Sequence, residues 1–491
     1  MKKVNFKNLF ISFIFLSIII ILSFQTISQT YVFDATQSYS YVKELSSPEY
    51  EGRKASTNGN IKALDYAENI FNNLGYETLR QGFKALVPFL EDTPVLELLD
   101  ESDQPIYKYT HRKDFKEAFS GYASGGKVTS KFIIDGKSVY DIKGKIFNDS
   151  IVIVNNDYNG RYDQDLAYIK AKVKAILIPT SDERIAMGTG FPGYNKESFL
   201  NKKDKIIKIY ITYALFSQLK EKCKSIEENI LVSENTKINL SLSLSFKFVT
   251  TENLIAKFKD EKPINPKDQI DYLGFSAHID HLGMDPDGSY FPGALDNASG
   301  VAFVLEMAKV LANYKDRLTV KPLLILFNAE ENGLCGSDYF VHSNFMNYSK
   351  MKLINFDMVA SSEPVSYNLL FYQGNKANHP AKDFALKVRS YGANNDFKFI
   401  IDNVSSNSDH YSFNELGYSA ISINQLPEGF YHTYNDTADK VSESALDELG
   451  KLMEKFIIEN WTVKNQSSNN IYFIMTIIGL FLALKTKGVA A

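Results

Sequence analysis

Cysteine is scarce: Cys223 and Cys335 are the only two in 491 residues. Two thiols do not make a disulfide framework, although in an oxidising compartment they could pair with each other. They are also too few for a Cys-rich structural zinc site, so any metal must be held by histidine and carboxylate. Charge of one sign is equally lacking. Lysine and arginine total 54 against 58 for aspartate and glutamate, a net charge of -4, and a balance so even supplies no electrostatic footprint for nucleic acid. Internal repeats and low-complexity segments are absent. What remains is an ordinary globular composition, 44% hydrophobic and 23% charged, on a chain longer than the usual compact domain. One large domain with a smaller insert is the natural expectation.

Both ends carry apolar runs. Lys2, Lys3 and Lys7 precede an apolar stretch from Leu9 to Leu22, followed by Ser23, Thr26 and Ser28. That order reads as a signal peptide over residues 1–28, so the protein is expected to be exported to a periplasmic, extracellular or envelope-attached location. At the other end a polar linker leads into Ile471 to Leu484, with Lys485 and Lys487 behind it. At about 1.5 Å per residue this tail of 464–491 carries an apolar helix of roughly 21 Å, short of the roughly 30 Å of a bilayer core. Snorkelling lysines could rescue a span, which makes the tail a candidate membrane anchor.

Between the ends the texture changes twice. Residues 31–119 and 245–463 form one discontinuous domain, and 120–244 reads as an inserted α/β or β-rich subdomain with its own small core. In the insert, Ser150 to Val154, Ala175 to Pro179 and Ile206 to Ile211 are expected strands, and Asp165 to Lys174 an expected helix. From Asn253 onward a βα alternation appears, with strands expected at Leu254–Phe258, Tyr272–Ala277, Leu323–Asn328, Lys352–Phe356, Leu369–Tyr372 and Ala420–Ile423. Helices are expected at Gly59–Gly75, Ala298–Asn313 and Ser442–Trp461 from apolar residues at helical spacing. The predicted fold class is α/β: a mostly parallel mixed sheet sandwiched by helices.

The chemistry-bearing residues fall just beyond strand ends, where open α/β sheets place their ligands. They form five clusters: His278-Ile279-Asp280-His281, Asp296-Asn297 at a helix entrance, Glu330-Glu331 after an apolar strand, Asp357 in an apolar strand context, and Tyr431-His432. Taken singly, each has a bland reading as a surface histidine, a helix cap or a solvated acidic loop. Together they supply His278, Asp296, Glu331, Asp357 and His432 as ligands and leave Glu330 spare. That is the donor set two Zn2+ ions need when one aspartate bridges them.

On these motifs the chain resembles the dizinc aminopeptidases of the MH-type zinc peptidase clan, over roughly Ser46 to Glu459. The resemblance implies that His278 and Asp357 hold one zinc and Glu331 and His432 the other, with Asp296 bridging. It further implies that Glu330 is the general base and Asp280 the orienter of His278. The Asp296–Asn297 peptide is implied to be cis, and Tyr431 is implied to stabilise an oxyanion. Glu49 to Arg53 resembles the family's N-terminal segment. Ser408-Asp409-His410 resembles a substrate-pocket loop, and the insert resembles a protease-associated domain. The expected partner is a peptide substrate, with no nucleic acid; oligomeric state is left open. His281 and His410 are expected in pocket-wall or structural roles, and Cys335 as a packed loop residue. Three rival readings stand beside the aminopeptidase. One is a glutamate-carboxypeptidase type, which would need clustered arginines where the insert offers little beyond Arg161 and Arg184. The others are a single-zinc glutaminyl cyclase and a receptor-like ectodomain without catalysis.

Overall fold

The computed structural model describes residues 31–463 apart from 143–144, 189, 191–203, 260–271, 345–349, 375–377 and 428. The expected signal peptide and the C-terminal run therefore lie outside the described residues. Among the described residues no helix is long and apolar enough to cross a membrane.

The main sheet has eight strands in the spatial order Tyr76–Leu90, Leu244–Phe258, Lys321–Phe327, Tyr272–His278, Lys352–Phe356, Ser419–Asn424, Tyr367–Leu370, Phe399–Asp402. Lys321–Phe327, Tyr272–His278, Lys352–Phe356 and Ser419–Asn424 run parallel to one another. Their neighbours on either side turn antiparallel, so the sheet is mixed, as expected. The central strands are apolar and buried along nearly their whole length, as strands covered on both faces must be. Helix Gly300–Asn313 crosses one face and buries Val301, Phe303, Val304, Leu305 and Met307. Ala35–Leu45, Asn58–Asn73 and Glu443–Trp461 pack with it into the main core.

The insert leaves the main sheet through a two-strand stalk. Tyr76–Leu90 pairs with Leu244–Phe258 along its whole length, and the chain between them builds two further sheets. Parallel strands Phe132–Asp135, Ile151–Val154, Ala175–Thr180 and Ile206–Thr212 form the centre of one, the last three close to the expected positions. The boundary expected at residue 120 is corrected. Val95–Asp100 and Pro105–Tyr109 pair into the second small sheet, and Phe115–Glu117 pairs with Ile206–Thr212. These strands thus belong with the insert, not with the first domain. Cys223 and Cys335 are both free.

A buried ionic cluster ties the insert to the main domain. Arg112, from the insert, grips Asp285 with Nε at 2.8 Å and Nη2 at 3.1 Å. The same guanidinium lies 2.9 Å from Glu117, which also meets His111 at 2.9 Å. Tyr434, two residues beyond His432, donates its hydroxyl to Asp285. Burial alone would raise the Glu117 carboxyl, but Arg112 and His111 outweigh it and hold it down to about 2. Because the folded value lies below the unfolded one of about 4.3, the stabilisation is complete above about pH 4.5 and is lost as pH falls toward 2. Glu117→Gln is therefore expected to cost about 3 kcal/mol in denaturant titrations near neutral pH, with the gap to wild type closing by about pH 2. A gap independent of pH would contradict this assignment.

Candidate metal centre

Three neighbouring parallel strands deliver the first candidate ligands together. His278 ends its strand level with Phe327 of the next, Glu330 and Glu331 follow Phe327, and Asp357 directly follows Phe356 on the other side. Carboxyl ends aligned in register are what bring residues some 80 positions apart in sequence to one spot. Below them, Asn355 binds the strands to each other. It accepts from Ser276 Oγ at 2.7 Å and donates to Ser408 Oγ at 2.8 Å and Ser422 Oγ at 3.1 Å.

Asp296 comes from a kinked turn, Ala294–Ser299, at the head of helix Gly300–Asn313. The Asp296–Asn297 peptide is cis, as the resemblance implied. Asn297 spans the gap to the strand end: its Nδ2 donates to Phe356 O at 2.9 Å, and its Oδ1 accepts from Met358 N at 3.1 Å. The buried carboxylate of Asp436 accepts from Leu295 N and Asp296 N at 2.8 and 3.0 Å. The turn leaves no room for a side chain at Gly300, where a Cβ would stand 2.2 Å from Phe356 O.

Two donor sets result, and they share Asp296. The first is His278, Asp296 and Asp357; the second is His281, Asp296, Glu331 and His432. Within each set the candidate ligand atoms all lie within 4.8 Å of one another. His278 Nε2 is 3.2 Å from Asp296 Oδ1 and 3.2 Å from Asp357 Oδ1. His432 Nε2 is 3.0 Å from Asp296 Oδ2 and 3.2 Å from Glu331 Oε1. The two oxygens of Asp296 thus face opposite ways, one into each set. His278 Nδ1 is turned to Asp280 O at 3.1 Å, which leaves Nε2 to act as the ligand nitrogen.

The charges fit divalent cations. Among the described residues Asp296, Glu331 and Asp357 form ion pairs only with histidines, and no lysine or arginine lines the cavity they face. Burial lifts Glu330 well above the usual carboxylate range, with Glu331, Asp357 and Asp409 adding to it and His278 opposing. Burial also pushes Asp280 up to about 7. Carboxylates packed this densely are costly unless a cation neutralises them. Arg53 is a fixed positive charge, fully buried beside the site. It donates to the carbonyls of Ile279, Leu45, Pro292 and Gly293 at 2.7 to 3.1 Å, so it braces the ligand-bearing loops without occupying the centre.

A cavity of roughly 370 Å3 opens onto these groups. His278, Asp296, Glu330, Asp357, Tyr431 and His432 line it. Tyr431 stacks on His432 with ring centroids 3.7 Å apart. The insert reaches this region too: Gly188 N donates to His432 O at 2.6 Å.

Three expectations meet the structure here, and one of them needs correction. The Asp280 carboxylate accepts from Glu330 N at 3.0 Å and Glu331 N at 3.3 Å, so it also shapes the glutamate turn; toward His278 Nδ1 its Oδ1 stands at 3.9 Å and its backbone carbonyl at 3.1 Å. Ser408, Asp409 and His410 do not line the cavity; all three are buried. Ser408 takes the Asn355 amide, and His410 Nε2 meets Ser405 O at 3.2 Å. Their neighbours Ser405 and Asn407 line the cavity in their place. His281 was expected in a pocket-wall or structural role; its Nδ1 lies 2.9 Å from Glu331 Oε1, where it braces that carboxylate. Its position three residues after His278, just beyond the strand, was the available signal.

Residues 253–457 match Peptidase family M28. The chain is 28% identical over 245 residues to the aminopeptidase YwaD of Bacillus subtilis, covering 48% of this chain and 50% of that protein. The chain spans about half the length, or less, of the curated relatives it matches. An aminopeptidase from Aneurinibacillus sp. strain AM-1 superimposes with a TM-score of 0.64 at 23% identity, over 88% of this chain and 95% of that one. BSAP, a zinc aminopeptidase from Bacillus subtilis, does so at 0.66 and 20% identity, over 88% and 96%. These solved structures share the fold. The segment 253–457, which matches the model of Peptidase family M28, carries every one of the candidate ligand side chains described above.

Proposed function

We propose that the chain is a zinc aminopeptidase that removes residues from the N-termini of peptides at a two-zinc centre. The observation that carries this reading is Asp296, which turns one oxygen to each donor set. His278 and Asp357 would hold one ion, Glu331 and His432 the other, and His281 would orient Glu331 through Nδ1. Bound zinc supplies Lewis acidity, which polarises a scissile carbonyl and makes water a usable nucleophile near neutral pH.

The remaining steps belong to the protein. Glu330, on the cavity wall and with its proton affinity raised by burial, takes the proton of the attacking water. It then returns a proton to the departing amine. Tyr431 donates its hydroxyl to the oxygen on which negative charge develops; burial holds that phenol well above its ordinary range, so the proton stays available. Asp280 fixes the turn that aims Glu330. A substrate's free ammonium group would meet the carboxylates of the centre, which favours the chain end.

The relatives' names as aminopeptidases support this reading. A carboxypeptidase for acidic C-termini has less support. Arg161 is paired with Asp163, Arg184 is spent on Tyr210, and neither lines the cavity. The expected signal sequence supports an exported enzyme, and the resemblance of the insert supports a protease-associated-like domain.

The test is an assay of purified protein on aminoacyl amides and their N-acetylated forms, with and without a zinc chelator. Chelator-sensitive release from free-amino substrates only is expected, and Glu330→Gln should retain zinc while losing about 10³-fold or more in kcat. Turnover of N-blocked peptides from the C-terminal end would overturn the assignment. Asp296→Asn is expected to bind less than half the zinc of wild type, by elemental analysis, because the shared ligand weakens both positions.

A further inference from the structure

The cavity has a second wall that takes no part in metal binding. It comes from the last three strands of the main sheet, and their register decides what it presents. In the antiparallel pair Asn368 lies opposite Asn424 and Leu370 opposite Ser422. In the parallel pair Leu370 lies beside Asp402. Alternate residues of a strand share a face, and so do laterally paired ones. Asn368, Leu370, Asp402 and Asn424 therefore point the same way, and all four line the cavity together with Met358 and Leu426.

This wall is apolar along its flank and anionic at one point. Met358, Leu370 and Leu426 offer a hydrocarbon path. Asp402 ends its strand with one carboxylate oxygen held by Val404 N at 3.0 Å. Among the described residues no cation pairs with it, and the cavity is lined by neither lysine nor arginine. Asn368 donates to Asn424 Oδ1 at 3.1 Å, so the two amides stand fixed beside it. A carboxylate and an amide carbonyl on a wall free of cations favour a positively charged guest and disfavour an anionic one. An apolar path leading to such a group suits a side chain with an aliphatic stem and a cationic head.

We propose that Asp402 is a specificity-determining residue, and that the enzyme prefers peptides whose N-terminal residue is lysine or arginine. This rests on the aminopeptidase reading above and names its substrate class. The stem of the side chain lies along Met358, Leu370 and Leu426, and its charged head meets Asp402.

The test compares kcat/KM for lysyl, arginyl, norleucyl and glutamyl p-nitroanilides on the full zinc-loaded protein. Norleucine matches the lysine stem without its charge. Lysyl and arginyl substrates are expected to exceed norleucyl by about tenfold or more, and Asp402→Asn should bring that ratio to about 1. Asp402→Lys should raise the glutamyl-to-lysyl ratio by about a hundredfold or more. A norleucyl substrate equal to or better than lysyl in wild type, or a ratio unmoved by Asp402→Asn, would overturn the proposal while leaving the aminopeptidase reading intact. Should no amide be hydrolysed, the aminopeptidase reading fails, and calorimetry with lysinamide and norleucinamide decides the pocket separately. Tighter lysinamide binding that Asp402→Asn abolishes upholds it, and equal binding overturns it.

Discussion

A shared carboxylate holds the rest of the site together. Asp296 faces two histidine-and-carboxylate sets at once, so the positions of both sets are tied to one side chain. Much of the surrounding structure fixes that side chain. Asp436 holds the backbone of its turn, Asn297 fastens the turn to the end of Lys352–Phe356, and Arg53 braces the loops on either side. These are uncharged or singly charged groups arranged around a dense patch of carboxylates. The main sheet supplies the precision: strands aligned in register place His278, Glu331 and Asp357 without relying on flexible loops.

The insert is part of this arrangement. Arg112 reaches from it to Asp285, Asp285 also holds Tyr434, and Gly188 bonds to the backbone of His432. The turn carrying the candidate ligand His432 is thus clasped from both domains. Breaking a buried ion pair by removing one partner typically costs 3–5 kcal/mol, because the other charge is left uncompensated. A clasp of that size resists separation of the insert from the site, so the geometry around His432 depends on chain well outside the segment 253–457.

Much of this was legible in the sequence. His278, Glu331 and Asp357 could be picked out as candidate ligands because each follows an apolar run that reads as a buried strand, whereas Asp296, at a helix entrance, and His432, in a loop, stood out only as members of the set. The expected strand Lys352–Phe356 is found at those limits, and the helix beginning near Ala298 is found behind the turn that aims Asp296. What escaped notice has physical reasons. Tyr76–Leu90 is half exposed and polar over its first half, so neither alternation nor a hydrophobic run marks it. Missing it moved the insert boundary, since the strands after it pair with partners more than 100 residues away. Ser408-Asp409-His410 has the composition of a pocket loop but is buried under the strand ends, and burial of polar residues cannot be read from composition. That the structural role of His281 is to brace Glu331 is likewise a tertiary fact.

Diffraction from zinc-loaded crystals, with anomalous data collected at the zinc edge, tests the central claim most directly. The account predicts two peaks, with Asp296 Oδ1 about 2.0–2.2 Å from one and Oδ2 at the same distance from the other. His278 and Asp357 should complete the first, and Glu331 and His432 the second. A single peak, or two peaks that Asp296 does not bridge, would contradict it.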